Sequence, residues 1–448
     1  MSTFFLADLF STIAGRSRAL WDPGWTQKQD ATPDGLLALC ETLLSSRGEA
    51  SGVAIAARIL QGYRSLDEDG RLAFLTALTD QFSVDLDAAR HSAEGFIAEP
   101  SPEAAWAMHR AAEPRRRELI SRLNRAPGGT ADLVAMRSDI LGLMNDHPEF
   151  READRDFQDL FTSWFNRGFL VLRRIDWRTP AIVLEKIIAY EAVHEINGWD
   201  DLRQRVDAPD RRLYAFFHPS LIDEPLIFVE VALTAELPDK VTGILDPERE
   251  MLPPDKAAVA TFYAISNCQV GLRGVSFGSF LIKQVVEELK LELPGLKTFT
   301  TLSPIPGLRA WLDRDPANRD DELVARLAAA APDDWPELTA AEQARLRERA
   351  ADYFINQKRP DGQPIDSVAR FHLGNGARLE RINVDGDLSA NGIERSYGVM
   401  VNYVYDLGQI EANHEAYANS AEIATSAQVR KLMKGQKAKK AEEPAPAE

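Results

Sequence analysis

The sequence has few residues of the kinds on which several common sites depend. Cys40 and Cys268 are the two cysteines in 448 residues, too few for a disulfide framework, so we expect a protein of a reducing compartment. The seven histidines are scattered, without HExxH or CxxC spacing, and no metal site is predicted. No apolar run approaches the roughly 20 residues that cross a membrane, so we expect neither a spanning helix nor a membrane partner, and no secretory signal.

Positive charge is also scarce. There are 52 lysines and arginines against 69 aspartates and glutamates, which gives a formal net charge of −17. Because the phosphate backbone of a nucleic acid would be repelled, we expect no nucleic-acid partner. A local basic pocket for a phosphorylated ligand is still compatible with this charge.

The two ends of the chain carry the features that bear on location. Residues 1–18 are mildly amphipathic, with two arginines and several serines. A transit peptide is one interpretation, against which Asp8 and the small number of arginines count. Residues 431–448 are charged and rich in alanine and proline, which predicts a disordered tail, and they do not end in the Ser-Lys-Leu peroxisomal signal. We expect a cytoplasmic protein.

Residues 30 to about 164 show the pattern of helices. Leu75, Leu78 and Phe82 recur at helical spacing on one face. Ser101 before Pro102 predicts a helix start, with a capping serine and proline at the first helical position, and we expect that helix to run over 102–125. No fixed-period repeat is present, so a solenoid is not expected.

The pattern changes near residue 165, where segments rich in β-branched and aromatic residues begin. Such segments predict strands, and helical patterns lie between them. The later part of the chain is therefore α/β or α+β. The predicted strands are 168–177, 226–234, 261–268, 296–303 and 398–407, with a helix over 278–293 and a helical insertion over 314–357.

A glycine-rich turn joins one predicted strand to the helix over 278–293. Gly271, Gly274 and Gly278 allow a tight turn and a close approach of the backbone to a ligand. The start of the helix favours anions, and Arg273 could add a charge-assisted contact. On spacing alone, two interpretations stay open: a pyrophosphate site, or a turn that needs glycine for its geometry.

This turn resembles the CoA-pyrophosphate loop of the GNAT acyltransferase superfamily, but its glycine spacing differs from the superfamily pattern. Three residues separate Gly274 from Gly278, where the superfamily has one between its last two small residues. Longer blocks, with the markers SPIPG and HLGNGA, instead resemble the malonyl-CoA decarboxylase family. The blocks are 216–234, 263–290 continuing into 298–312, and 368–383 followed by 398–405.

The resemblance implies an α+β fold, with an N-terminal all-helical domain followed by a GNAT-like α/β catalytic domain with a mixed sheet. The implied boundaries are 1–164 for a helical domain used for homo-oligomer assembly and 165–430 for the catalytic domain, followed by the tail. The implied activity is that of a carboxy-lyase, which converts malonyl-CoA to acetyl-CoA and CO2 without metal or cofactor, because the CoA thioester is the substrate. Malonate catabolism and restraint of fatty-acid synthesis both stay open as its purpose.

The resemblance also implies the residues of the site. Ser303 of SPIPG and His372 of HLGNGA correspond to the catalytic residues of the family. The malonyl-CoA binding segment corresponds to Arg273, Gly274, Val275, Ser276, Phe277, Gly278 and Ser279.

The chemistry accounts for these residue types. Loss of CO2 leaves an enolate of the thioester, so an enzyme must position the carboxylate, stabilise the oxyanion and supply a proton. Ser303 precedes Pro304, which limits the backbone and fixes the hydroxyl. His372 has an ordinary pKa near 6.5, which suits proton transfer near neutral pH. Without the resemblance, a turn-capping serine and a polar loop histidine would be the plainer interpretations.

Other polar and aromatic residues have structural interpretations. His218 is expected at a strand end or an interface, and Cys268 as a small buried hydrophobe. Tyr403 and Tyr405 alternate and should face one side of a sheet, where we expect core packing, with pocket lining as the other interpretation. Asn375 is expected to be structural, in a turn with its two neighbouring glycines that aims His372.

Two other classes of function stay open. An acyl-CoA N-acyltransferase would need a site for an amine and a base to deprotonate it. A non-catalytic CoA-sensing or assembly protein would not need Ser303 and His372.

Overall fold

The computed structural model describes residues 32–45, 48–275, 281–314 and 321–433. Residues 1–31, which include the alternative transit peptide, and most of the predicted tail lie outside this part. The chain divides into two compact units. Among the described residues, the first comprises those up to 171 together with 217–226 and 269–275, and the second comprises 172–216, 227–268 and those from 281 onward.

The first unit is built from helices. Its buried side chains recur at helical spacing, such as Leu75 and Leu78 on one helix and Leu133 and Met136 on another. The helices are α1 (Pro33–Ser45), α2 (Glu49–Ser65), α3 (Glu68–Gln81), α4 (Leu86–Ala98), α5 (Pro102–Ala111), α6 (Arg115–Leu123), α7 (Gly129–Leu143) and α8 (Arg151–Trp164).

The predicted helix start at Ser101 is confirmed, but the predicted helix length is wrong. The Ser101 hydroxyl accepts a hydrogen bond from the Ala104 N–H at 3.1 Å. The helix ends at Ala111, and α6 begins at Arg115 after Pro114. Proline has no N–H to donate and its ring would clash inside a helix, so the chain turns here.

The later elements form a mixed sheet with helices around it. Within the sheet, hydrogen-bonded neighbours follow the order β1-β2-β3-β4-β5-β8-β6, and β7 also pairs with β8. The elements are β1 (Val171–Ile175), α9 (Ala181–Tyr190), α10 (Trp199–Val206), β2 (Arg211–Phe217), β3 (Pro225–Thr234), α11 (Thr242–Leu245), β4 (Val259–Asn267), α12 (Leu281–Glu292), β5 (Thr298–Thr301), β6 (Ser303–Pro304), α13 (Leu308–Arg314), α14 (Glu322–Ala329), α15 (Ala340–Ile355), α16 (Ser367–Gly374), β7 (Arg378–Asn383), α17 (Ala390–Ser396), β8 (Met400–Val404) and α18 (Ile410–Ser420).

The parallel strands β4 and β5 separate halfway along β4. Their ladder runs from the pair Val259–Thr298 to the pair Phe262–Thr301. Beyond this point β4 continues to Asn267 against β3, while the other strand continues as β6 against β8. Because each strand keeps a different neighbour, a gap opens between the carboxyl-terminal half of β4 and β6.

The predicted fold class, a helical N-terminal region followed by an α/β domain with a mixed sheet, is confirmed. Every predicted strand segment overlaps an observed strand, but β2 and β7 were not predicted. Strand β2 opens with Arg211 and Arg212, which are buried and paired with Asp210 and Glu292, and this pairing is not visible in a strand pattern. Within the described residues, no helix combines the length and apolar character that crossing a membrane requires.

Candidate active site

A cavity of about 240 Å³ lies where β4 and β6 separate. Helix α16 contributes one wall, and the two strands contribute others. Most of the lining side chains are apolar. The lining residues are Val193, Phe262, Tyr263, Ile265, Asn267, Ser303, Pro304, Ser367, Val368, Phe371 and His372.

Ser303 is held at the start of β6. Its partner in the sheet is Val401 of β8, and the following Pro304 does not end the strand as expected but pairs with Met400. The side chain is buried, and its Oγ lies 2.9 Å from Thr301 Oγ1 and 3.2 Å from His372 Nε2. The structure therefore brings together the two residues that the sequence predicted as catalytic.

His372 lies in the last turn of α16, and both ends of this helix are fixed. Asp366 caps the start by accepting a hydrogen bond from the Ala369 N–H at 2.7 Å. At the other end, the Ala377 N–H donates to the His372 carbonyl at 3.1 Å. Gly376 has φ +80°, and a Cβ there would lie 2.0 Å from the Ile410 carbonyl oxygen. Only glycine fits this turn, which aims the histidine into the cavity.

The predicted structural role of Asn375 agrees with its contact. Its side-chain amide donates to the Phe371 carbonyl at 2.7 Å. The same carbonyl accepts the Asn375 backbone N–H at 3.1 Å, so two bonds hold Asn375 against the end of α16.

Two tyrosines of the β8 region hold the His372 ring. The Tyr405 hydroxyl lies 2.8 Å from His372 Nδ1, and the Tyr403 ring stacks on the imidazole at 4.7 Å between centroids. The alternation in the sequence correctly placed both tyrosines on one side. The expectation of core packing missed the hydrogen bond of Tyr405, because the sequence does not tell which helix covers that side.

The hydrogen bonds form one continuous line from Thr301 through Ser303 and His372 to Tyr405. One polarity satisfies it: the tyrosine hydroxyl donates to Nδ1, Nε2–H donates to Ser303 Oγ, and that hydroxyl donates to Thr301 Oγ1. Thr301 Oγ1 also accepts the Tyr403 backbone N–H at 3.1 Å. The imidazole is thereby held in one orientation and one tautomer.

Burial changes the protonation of the histidine. Transfer out of water disfavours the charged imidazolium and lowers the pKa of His372 to about 3. Burial likewise raises the pKa of the Tyr405 hydroxyl, which stays a donor. The ring is therefore neutral at pH 7 in the free protein, and its pKa lies well below the ordinary value near 6.5 that was expected from the sequence.

Part of the predicted binding segment is described, and it lies in the first unit. Arg273 and Gly274 are exposed and Val275 is buried, while Ser276, Phe277, Gly278 and Ser279 lie outside the described residues. Three N–H groups expected to face a ligand are used inside the turn: those of Leu272, Arg273 and Val275 donate to Gln269, Val270 and Leu272 carbonyls. Of the described residues in this segment, Arg273 carries the positive charge, and its side chain is exposed.

Gly271 serves packing rather than ligand approach. A Cβ on this residue would lie 1.9 Å from the Val134 carbonyl oxygen of α7. The interpretation of a glycine needed for geometry is therefore correct at this position.

His218 and Cys268 have the roles expected from the sequence. His218 follows β2 directly, its Nδ1 accepts the Ser220 N–H at 3.2 Å, and its Nε2 lies 3.2 Å from the Trp164 carbonyl. Cys268 follows β4 and is buried. In the ranges that the structure describes, no group of three or more His, Cys, Asp or Glu side chains is arranged to hold a metal ion.

Fold and site together define a class of protein: an α/β enzyme whose separated parallel strands enclose a buried serine–histidine pair. Residues 168–443 match the family model of the malonyl-CoA decarboxylase C-terminal domain, and residues 82–165 match that of the N-terminal domain. The chain belongs to the malonyl-CoA decarboxylase family.

Individual relatives agree with this membership. The chain is 57% identical to the malonyl-CoA decarboxylase crystal structure from Rhodopseudomonas palustris, with a TM-score of 0.83 over 89% of this chain and 99% of that one. The corresponding structure from Agrobacterium vitis is 50% identical, with a TM-score of 0.82 and the same coverage. The mitochondrial malonyl-CoA decarboxylase of Mus musculus is 36% identical over 352 residues, 71% of each chain.

Proposed function

We propose that this chain decarboxylates malonyl-CoA to acetyl-CoA and CO2, with Ser303 and His372 as the catalytic residues. The observation that carries the proposal is the 3.2 Å contact between Ser303 Oγ and His372 Nε2 inside the cavity beside β4. A hydroxyl and an imidazole this close together can act on the same small acyl group. One can hydrogen-bond the thioester oxygen while the other transfers a proton to the α-carbon.

The surroundings favour loss of CO2. Lysine and arginine do not occur among the lining residues that the structure describes, and apolar side chains such as Phe262, Ile265 and Phe371 dominate. A carboxylate placed there exchanges its hydration shell for a poorly polar environment, which is costly for the anion. Departing CO2 is neutral, so the cost falls as the carbon–carbon bond breaks.

The two residues take different parts in the reaction. As CO2 leaves, the electron pair of the broken bond passes into the thioester carbonyl and forms an enolate. Ser303 would donate its hydrogen bond to the developing oxyanion or hold the carboxylate beforehand. His372, protonated while the malonyl carboxylate lies beside it, would deliver its Nε2 proton to the α-carbon, which gives the acetyl group and leaves the neutral imidazole, and solvent would later restore that proton.

The thioester itself accepts the electron pair, so the chemistry requires no metal or organic cofactor. The test is to incubate the purified protein with malonyl-CoA in EDTA and to follow CO2 and acetyl-CoA. We expect activity in wild type, a loss on the order of 10²–10³-fold in kcat for Ser303→Ala and of about 10²–10⁴-fold for His372→Asn. Acyl transfer to an amine without CO2 release would favour the acyltransferase alternative. Wild-type rates in both variants would remove these residues from the mechanism.

The proposal extends to the CoA moiety. The segment Arg273–Ser279 would bind the pyrophosphate, as the family resemblance implies. The exposed guanidinium of Arg273 supports this assignment. Loss of calorimetric affinity for free CoA in Arg273→Ala would agree with it, and unchanged affinity would contradict it.

Assembly and location are further parts of the proposal. We propose that residues 1–164 form the helical domain of a homo-oligomer, that 165–430 form the catalytic domain, and that the protein acts in the cytoplasm. Exposed apolar residues on α4 and α5 support assembly, and the small number of cysteines, two in 448 residues, suits a reducing compartment. Cell fractionation followed by the decarboxylase assay tests the location.

A further inference from the structure

The turn over Val270–Gly274 is anchored by side chains of the helical unit. Arg137 of α7 is buried, with 1% of its side chain exposed, and its Nη1 donates to the Gly271 carbonyl at 2.8 Å. Gln158 of α8 donates from Nε2 to the Gly274 carbonyl at 2.7 Å. Arg273, the exposed residue of the proposed CoA site, lies between these two fixed carbonyls.

The surroundings of Arg137 point to a positioning role. Its Nε pairs with Asp154 of α8 at 2.8 Å, so one guanidinium ties α7, α8 and the turn together. Burying an ion pair costs desolvation that the Coulomb attraction offsets only in part, and an apolar pair would often be as stable. A buried arginine here is better explained by the geometry it imposes on the Gly271 carbonyl than by stability.

The close packing of Gly271 adds a second constraint. Its Cα lies against the Val134 carbonyl so closely that no side chain fits. The turn therefore cannot shift toward α7. While both carbonyls keep their hydrogen bonds, it cannot shift away from α7 either.

We infer that Arg137 and Gln158 are positioning residues of the CoA-binding turn, so that the helical region takes part in substrate binding as well as in assembly. The inference rests on the proposed function, because it assumes that Arg273 meets the CoA pyrophosphate. By fixing the carbonyls on both sides of Arg273, the two residues keep its guanidinium at the place where the phosphates arrive.

The test compares two substrates in two variants. Arg137→Lys keeps the charge beside Asp154 but loses the forked reach to Gly271, and Gln158→Leu removes one hydrogen bond at a half-exposed site. With malonyl-CoA we expect KM to rise about tenfold, the effect of one hydrogen bond, and kcat to change little. S-malonyl-N-acetylcysteamine has the thioester but no pyrophosphate, so its kcat/KM should match wild type in both variants.

The outcomes separate the inference from the function on which it rests. Arg155→Leu, an exposed change on α8, should leave both substrates unaffected and serves as control. Equal losses with both substrates would indicate a general structural role and overturn the inference, as would wild-type KM values with malonyl-CoA. If Arg137→Lys fails to fold, Gln158→Leu decides. A wild-type protein that releases no CO2 from either substrate would instead overturn the proposed function.

Discussion

His372 illustrates how burial changes the chemistry of a residue whose type the sequence predicts. The printed sequence locates it through the HLGNGA motif, but its ordinary pKa near 6.5 applies only in water. In the structure the ring is fully enclosed beside Ser303, Tyr403 and Tyr405, and its pKa falls to about 3. The sequence could identify the residue, and only the fold reveals its protonation.

Because the pKa of His372 is low in the free protein, we expect the protein to take up a proton from solvent when it binds malonyl-CoA. The malonyl carboxylate adds a negative charge beside His372, which favours the imidazolium. We expect S-(2-carboxyethyl)-CoA, a thioether that cannot decarboxylate, to take up a proton on binding near pH 7. Calorimetry in buffers of different ionisation enthalpy measures this uptake. S-propyl-CoA, which lacks the carboxylate, and the variant His372→Asn should take up none.

The direction of the pKa shift of His372 determines how the free energy of unfolding changes with pH. The pKa of His372 is lower in the folded chain than in the unfolded chain, so the unfolded chain binds the proton first as pH falls. The contribution of His372 to the free energy of unfolding is therefore present above about pH 6.5 and lost as pH falls toward 3.

In the calorimetric experiment, proton uptake on binding of S-propyl-CoA, the ligand without a carboxylate, would contradict the assignment to a carboxylate–histidine pair.

Tyr405 allows a test of whether the orientation of the His372 ring matters for catalysis. Tyr405→Phe keeps the ring but removes the hydroxyl that lies 2.8 Å from His372 Nδ1. We expect kcat to fall about tenfold, the effect of one hydrogen bond, with little change in KM, because the imidazole loses its fixed tautomer.

Tyr403→Phe is the matched control for this prediction. The Tyr403 hydroxyl has no hydrogen-bond partner among the described residues, and its ring would still stack on His372. Near-normal kcat is expected in this variant. Single-turnover rates at saturating malonyl-CoA measure both changes, and equal losses in the two variants would indicate ring packing instead of orientation.

At the scale of elements, the turn after α16 decides where His372 points. Gly376 combines φ +80° with a Cβ position only 2.0 Å from the Ile410 carbonyl. Gly376→Ala should therefore lower the free energy of unfolding by at least about 2 kcal/mol and reduce kcat as the helix end moves.

Gly374 provides the comparison on the same turn. A Cβ there would make ordinary contact with the Tyr417 ring at 3.8 Å, so Gly374→Ala should be tolerated. Denaturant unfolding followed by the decarboxylase assay measures both variants. Similar stabilities of the two would show that the turn relaxes without cost.

The elements also show where sequence patterns stop being informative. Strands of β-branched and aromatic residues were predicted because their composition is local information. Strand β2 was missed, since the buried Arg211 and Arg212 bond to the Ile244 carbonyl and to Glu292, partners distant in sequence. The division between α5 and α6 at Pro114 could have been predicted, because proline excludes a continuous helix from sequence alone.

At the scale of the whole molecule, the gap between β4 and β6 was beyond sequence reasoning. It arises because β4 stays with β3 while β6 stays with β8, a choice made by the whole sheet. The family motifs placed Ser303 and His372 in separate predicted segments, 69 residues apart. Their meeting in one cavity follows from topology rather than from either motif.

The helical region carries the remaining prediction, which concerns assembly. Helices α4 and α5 contain no buried residue, and Leu86, Ile97 and Trp106 are 72%, 77% and 63% exposed. Helices of 13 and 10 residues are marginal without an apolar face packed against something, and exposed apolar groups of this kind mark contact surfaces. A second copy of the chain would cover them in the proposed homo-oligomer.

A charged residue on this surface should therefore separate the copies. We expect light scattering coupled to size exclusion to give an oligomer for wild type and a lower mass for the double variant Ile97→Asp with Trp106→Asp, because an aspartate buried at an interface would lose its hydration. Arg90→Asp, which changes a charge on α4 at an exposed polar position, should keep the wild-type mass and controls for charge alone. Unfolding curves check that the double variant stays folded. A monomeric wild type, or a double variant that keeps the full oligomer mass, would show that α4 and α5 do not form the contact between copies.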